Sequence, residues 1–238
     1  MSATTTAMPS SASVYSSGAF WERLWRTAGL QFVGLLIVAC FIYGTQPGVG
    51  APPDALNAFY HGERTRILIA VFCLGLNMLN LLWFTMAVRT TLADAGRDGW
   101  GGAATAASAA FGALFLLALA VVAALAYSLA GSGNDALVSA LNDVGWALVV
   151  LTSFPRAMLI MSWAFGLWRA DQISNGLFSA GVAALLLTLL GGTTWMHGGF
   201  WAPDGLYSRL ISPLIGLAWI VVVSRVILTR SPATRAAW

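Results

Sequence analysis

Six long apolar runs, separated by short segments that hold most of the charged residues, dominate this sequence. A helix rises about 1.5 Å per residue, so each run is long enough to cross about 30 Å of hydrocarbon. Hydrophobic residues make up 58% of the chain and charged residues only 9%, which is too apolar for a water-soluble fold. The pattern predicts an all-α polytopic transmembrane helix bundle, with six spans at roughly 27–44, 67–88, 103–130, 141–168, 174–196 and 207–228.

The arginines are distributed unevenly between the two sides of this bundle. Three fall on the side opposite the termini, Arg64, Arg66 and Arg209. Eight fall on the side of the termini: Arg23, Arg26, Arg89, Arg97, Arg169, Arg225, Arg230 and Arg235. The positive-inside rule then predicts that both termini lie in the cytoplasm. All 12 basic residues are Arg and none is Lys, which is typical of a high-GC bacterial genome, so we expect a multi-pass protein of the bacterial cytoplasmic (inner) membrane.

The segments around the spans predict a simple domain organisation. Residues 1–19 are rich in Ser, Thr and Ala and predict a disordered cytoplasmic tail. Residues 20–230 form the six-helix transmembrane domain, and residues 231–238 form a cytoplasmic C-terminal tail. In the loop 45–66, Pro52, Pro53 and Asp54 resemble the start of a short helix.

Composition and motifs exclude several classes of function. The net charge is only +3 and no run of basic residues occurs, so nucleic acid is not an expected partner, whereas membrane lipids are. The chain has no nucleophile elbow, Walker loop or HExxH motif, so we predict no catalytic residue and an enzymatic function is unsupported. The two cysteines show no metal-ligand spacing, and no cofactor is predicted.

Arg156 is the strongest candidate for a functional residue. It stands well inside the fourth span, where an arginine costs a few kcal/mol. The preceding Pro155 cannot donate a backbone hydrogen bond, so a kink is expected beside the cation. Asn77 and Asn80, three residues apart in the second span, are the expected hydrogen-bonding neighbours. These residues either bind an anionic ligand or form a buried polar cluster that locks the bundle.

His61 and His197 are weaker candidates for a metal site. Both map to the same interface, where nearby carboxylates could complete a set of ligands or where the imidazoles could ligate a haem. Haem-carrying bundles usually place their histidines within spans that face each other, so ordinary interfacial histidines are the alternative interpretation.

Small residues allow helices to approach closely at two places. One is the start of the third span, from Gly101 to Ala110, and the other is the pair Gly191 and Gly192. Such surfaces serve packing within the chain, a homo-oligomer, or a partner in a larger membrane complex.

Three short segments carry a resemblance to a known group. They are RTAGL at the start of span one, FYHGERTRIL before span two and NDVGWALVVLTSFPRAML in span four. Together with the hydropathy layout, they resemble uncharacterised bacterial polytopic membrane proteins of the DUF4386-like type. The resemblance implies a bacterial membrane location, and it implies no activity and no site residue.

Three functions remain open at this stage. The first is binding or transport of an anionic or amphiphilic small molecule in an intramembrane cavity around Arg156. The second is a structural or accessory subunit of a larger membrane complex, in which Arg156 has a packing role. The third is a haem- or metal-binding redox subunit that uses the interfacial histidines.

Overall fold

The described part of the chain folds entirely into helices and connecting loops. In the computed structural model this part comprises the backbone of residues 11–229 and the side chains of residues 24–229, and it contains no β-strand. The helices are α1 (Ser11–Tyr43), α2 (Pro53–Tyr60), α3 (Arg64–Asp94), α4 (Asp98–Ala124), α5 (Asp135–Leu151), α6 (Ser153–Arg169), α7 (Asn175–Leu190) and α8 (Ser212–Thr229). A π-helical turn, Leu125–Leu129, extends α4, and a second one, Tyr207–Ile211, precedes α8.

Six helical segments among residues 11–229 are long and apolar enough to cross a membrane. They are Leu24–Tyr43, Arg64–Asp94, Asp98–Leu129, Asp135–Arg169, Asn175–Thr193 and Tyr207–Thr229. The prediction of an all-α bundle with about six spans is therefore confirmed. Helix α2 also begins at the predicted Pro53. Residues 11–19 of the expected N-terminal tail belong to α1, while residues 1–10 and the predicted tail 231–238 lie outside the described residues.

The fourth span is divided at Thr152, where α5 ends and α6 begins. Pro155 has no N–H group and cannot bond to the carbonyl of Leu151, which interrupts the helix at this point. The span begins earlier than the sequence predicts, because the side chain of Asn134 caps the helix by accepting a hydrogen bond from the N–H of Leu137 over 3.3 Å. Asp143 therefore lies in the middle of α5.

The bundle has two unlike ends. The end that carries loop 44–52, α2 and loop 194–206 is called the loop end here, and the end that carries the short turns 95–97 and 170–174 is called the turn end. The main hydrophobic core lies toward the turn end, where α1, α3, α4, α6 and α8 contribute buried side chains. There the rings of Phe84 and Trp163 pack edge to face, with centroids 5.3 Å apart.

Helices α1 and α8 pack most closely at the turn end. A Cβ atom at Gly29 would overlap the Ser224 hydroxyl and would lie only 2.8 Å from the Phe84 ring. One turn earlier on α1, Nη1 of Arg26 donates to the carbonyl of Ile227 over 3.4 Å. Toward the loop end, a Cβ at Gly216 would meet no heavy atom within 4 Å, so packing around α8 is looser there.

Candidate functional site

A cavity of about 390 Å³ lies inside the bundle, between α1, α3, α4, the divided fourth span and α8. This volume falls within the range of small-molecule sites. Its wall is mostly aliphatic and aromatic toward the turn end and becomes polar toward the loop end. The apolar wall includes Phe32, Leu81, Phe111, Leu159, Trp163 and Leu217.

Arg156 lines this cavity and is held by three hydrogen bonds. Its Nε donates to the carbonyl of Thr152 over 3.3 Å. Its Nη2 donates to the hydroxyls of Ser153, over 3.0 Å, and of Ser212, over 3.3 Å. Its Nη1 makes no hydrogen bond to the part of the chain that the structure describes. The guanidinium is thus fixed in position and keeps free donor capacity.

Three helix segments approach closely around this guanidinium. A Cβ at Gly191 would lie 2.7 Å from the hydroxyl oxygens of both Ser153 and Ser212, so only glycine fits where α7 ends. Ser212 lies five residues after the start of the last span at Tyr207. Because the Arg156 guanidinium contacts Ser212, it also lies near the loop end. The position of Arg156 along its own span, Asp135–Arg169, would place it deeper in the bundle.

A second arginine, Arg209, lines the same cavity from the last span. Its Nη2 donates to the carbonyl of Gln46 over 2.6 Å, and its guanidinium carbon lies 4.9 Å from the centre of the Trp146 ring. Arg209 precedes Ser212 by three residues, which is about one helical turn. From the sequence, Arg209 is placed only on the side opposite the termini, because nothing in the local sequence pairs it with Arg156.

Neither cavity arginine has an acidic partner among residues 24–229. The ion pairs of this region join Arg66 to Glu63 over 3.6 Å and Arg89 to Asp98 over 3.3 Å, both on the surface. No Asp or Glu of the described residues lines the cavity. The arrangement is an apolar chamber with two positive charges at its polar end, and such a chamber suits an anionic group attached to an apolar body.

Two carboxylates of the loop end bind backbone amides of loop 44–52. Asp143 accepts a hydrogen bond from the N–H of Gly50, and Asp204 accepts one from the N–H of Val49, each over 3.2 Å. These contacts hold the loop and leave the two arginines of the cavity without a carboxylate.

Loop 44–52 is fastened across the loop end of the cavity by the buried side chain of Asn142. Its Oδ1 accepts hydrogen bonds from Nε2 of Gln46, over 3.2 Å, and from the hydroxyl of Tyr60, over 2.9 Å. Its Nδ2 donates to the carbonyl of Gly48 over 3.0 Å. The indole N–H of Trp146 adds a bond of 2.9 Å to the carbonyl of Pro47. The cavity is therefore covered by a loop with many polar contacts.

Asn77 and Asn80 are not brought to Arg156. Asn77 is fully buried, and neither atom of its amide has a hydrogen-bond partner, while Asn80 is half-buried. Neither lines the cavity, which α3 reaches through Leu74, Met78 and Leu81. At roughly 100° per residue, the two asparagines lie on the adjacent face of α3. The side-chain hydrogen-bond partners of Arg156 are Ser153 and Ser212, where the sequence had led us to expect the two asparagines.

The predicted metal candidates, His61 and His197, are both exposed at the loop end. Among residues 11–229 no group of three or more His, Cys, Asp or Glu side chains could hold a metal ion. Cys40 and Cys73 are both free thiols; Cys40 is exposed on α1 and also lines the cavity.

Comparison with known proteins gives no match, because no protein-family model, no curated protein and no solved structure is significantly similar to the chain. The resemblance to proteins of the DUF4386-like type therefore stays an expectation, and the function has to be argued from the site itself.

Proposed function

We propose that the protein binds an anionic amphiphile in its intramembrane cavity, with the anionic group at Arg156 and Arg209 and the apolar part against the cavity wall. The observation that carries this proposal is a mostly apolar cavity whose polar end is lined by the half-buried Arg156 and the exposed Arg209, neither of which has an acidic partner among the described residues. Transport begins with binding, so the proposal also includes movement of the bound molecule by the protein across or within the membrane.

The free energy of burying a guanidinium supports a ligand rather than a purely structural role. Three hydrogen bonds to neutral oxygens satisfy part of Arg156, and none of them neutralises its charge. An anion would supply that neutralisation and would form short charge-assisted hydrogen bonds with the remaining donors. The planar guanidinium also matches the two oxygens of a carboxylate or phosphate.

We also propose an orientation of the chain in the membrane, with the turn end facing the cytoplasm. Of the arginines in the described part, Arg26, Arg89, Arg97, Arg169 and Arg225 lie toward the turn end, and Arg64, Arg66 and Arg209 lie toward the loop end. This asymmetry supports a turn end, and both termini, in the cytoplasm of a bacterial cell. Reporter fusions at either terminus test it, and an active extracytoplasmic reporter there would contradict it.

The accessory-subunit hypothesis is the alternative, and the exposed apolar surface of α3 favours it. Ile69, Phe72, Leu76, Leu79 and Trp83 are all exposed on this helix. Such a surface faces either lipid or another membrane protein. If the protein serves mainly as a subunit, it will copurify with a stoichiometric protein partner and Arg156→Gln will leave its lipid content unchanged.

Native mass spectrometry of the protein in lipid nanodiscs tests the proposed function. The wild type should retain an anionic small molecule, and Arg156→Gln and Arg209→Gln should lose it. Arg89→Gln is the matched control, because Arg89 is an exposed arginine outside the cavity. If a folded Arg156→Gln protein retains the same anion as the wild type, the proposal is wrong.

A second measurement covers the case in which Arg156→Gln does not fold. Arg156→Lys keeps the positive charge but not the planar fork, so the anion should bind more weakly and still be present. Ligand-induced thermal stabilisation of the wild type by a long-chain carboxylate, and not by the uncharged alcohol of the same length, would support the proposal. Equal stabilisation by both compounds would contradict it.

A further inference from the structure

We infer that the ligand is a lipid anion whose hydrocarbon part lies lengthwise in the cavity and enters sideways from the bilayer, between α1 and α8. This inference rests on the proposed function and adds the class of ligand and its path. Its carboxylate or phosphate head would lie beside Arg156 and Arg209, and its chain would point toward Trp163.

The length of the cavity matches one leaflet of a membrane. The lining residues span Phe32 to Tyr43 on α1, Phe111 to Val122 on α4, and Arg209 to Ile220 on the last span. Each pair lies eleven residues apart, which at 1.5 Å per residue is about 16 Å. Half of the hydrocarbon core is about 15 Å. A chain of leaflet length therefore fits from end to end.

The volume of the cavity, about 390 Å³, gives a hydrocarbon chain room along this length. The polar end has room for a head group beside the arginines, where Nη1 of Arg156 keeps its donors.

The loop end is an unfavourable entrance for an apolar chain. Gln46 bonds to Arg209 and to Asn142, and Pro47 bonds to Trp146, so loop 44–52 lies across the polar end of the cavity. The lining residues Gly44, Thr45 and Arg209 are exposed there, so this end opens toward the hydrated interface. An apolar chain entering there would also have to cross the hydrated interface. A path through the side of the bundle keeps the chain in hydrocarbon throughout.

The proposed path through the side of the bundle lies between α1 and α8. The two helices are in tight contact at the turn end through Gly29 and Ser224. Toward the loop end, Cys40 of α1 lines the cavity and is exposed at the helix surface as well. On α8, the half-buried Gly216 also lines the cavity, and a Cβ there would meet no heavy atom within 4 Å. The path therefore passes these two small residues, and the place between them is called the α1–α8 opening.

Photoaffinity labelling tests the position of the ligand. Two long-chain carboxylate probes carry a photoreactive group, one next to the carboxylate and one at the end of the chain. With protein in nanodiscs, the first should label residues around Ser212, and the second should label residues around Leu81 and Trp163. Labelling of the exposed face of α3 by both probes, with Arg156-dependent binding intact, would overturn this inference and leave the proposed function standing.

Two glycines provide a matched test of the path. Gly216→Phe places a ring in the α1–α8 opening, whereas Gly34→Phe places one on the exposed surface of α1, where a Cβ also meets no atom within 4 Å. Exchange of a fluorescent long-chain carboxylate, followed by stopped flow, should slow by about tenfold or more in Gly216→Phe, which corresponds to a barrier about 1.4 kcal/mol higher. It should be unchanged in Gly34→Phe.

The outcomes of these experiments distinguish a failure of the lateral path from a failure of the proposed function. Equal exchange rates in the two phenylalanine variants would overturn the lateral path. If no long-chain anion binds the wild type at all, the proposed function fails and this inference fails with it.

Discussion

Arg156 on α6 donates a hydrogen bond to the hydroxyl of Ser212 on the last span, and this contact of 3.3 Å joins the fourth and sixth spans at the polar end of the cavity. It is a bond between a charged donor and a neutral acceptor, a class that contributes about 1.5–3 kcal/mol. The position of the cation therefore depends on a residue more than fifty positions later in the chain.

Replacing Ser212 by alanine is expected to lower the free energy of unfolding by about 1.5–3 kcal/mol, since a buried cation loses one of its acceptors. Thermal unfolding in detergent or nanodiscs measures the change. Ser179→Ala is the control, because the exposed Ser179 hydroxyl bonds only to the carbonyl of Asn175 on its own helix. Equal effects of the two substitutions would contradict a special role for the Arg156–Ser212 contact.

Gly29→Ala is expected to separate α1 from α8. Its Cβ would overlap the Ser224 hydroxyl and approach Phe84, and overpacking of this kind costs about 1–3 kcal/mol. Gly34→Ala on the same helix meets no neighbour, and its higher helix propensity should leave the stability unchanged or raise it by up to about 1 kcal/mol. A melting temperature that falls equally in both variants would show that the close approach at Gly29 is unimportant.

Asn142→Leu is expected to release loop 44–52. The substitution leaves the Tyr60 hydroxyl and the Gln46 amide without their shared acceptor, at a cost of about 1–3 kcal/mol for each group that stays buried. Limited proteolysis within loop 44–52 should become faster. Asn57→Ala removes hydrogen bonds to Asp135 and Gly131 at the exposed side of α2 and serves as the comparison. Unchanged proteolysis in Asn142→Leu would show that other contacts hold the loop.

Tyr60 is expected to make the fold sensitive to high pH. Burial raises the pKa of its phenol well above the ordinary value near 10. Below pH ~10 the phenol is neutral in both the folded and unfolded states, and above it the unfolded state ionises first, so stability falls as the pH rises toward the folded-state pKa. Tyr60→Phe should show a shallower decline between pH 9 and 11 in thermal unfolding, with wild type as reference. An identical decline would show that other groups dominate.

The spans were predictable because each is an apolar run of the length that a helix needs to cross a bilayer. Helix α2 was predictable from Pro53 and Asp54, which favour the first turn of a helix. Arg156 was recognisable because a charge inside an apolar run is unusual. These features depend on residues that are close together in the sequence, so they can be recognised without knowledge of the fold.

The composition of the cavity was not predictable in the same way. The bond between Arg209 and Gln46 joins residues 163 positions apart, and no local pattern indicates it. The rotation of α3, which turns Leu74 and Met78 toward the cavity and Asn77 away, is set by packing against its neighbours, and α3 has no strong apolar stripe that would reveal its rotation. The fourth span begins at Asp135 and not near residue 141, because the cap at Asn134 determines where α5 starts.

The pair of arginines without carboxylates also bears on the response to an electric field. Moving one elementary charge across the whole membrane potential is worth about 2.3 kcal/mol per 100 mV. An occupied site would carry less positive charge than an empty one, so the two states would couple differently to voltage at the depth of Arg156. Membrane potential would thus act on the balance between loading and release.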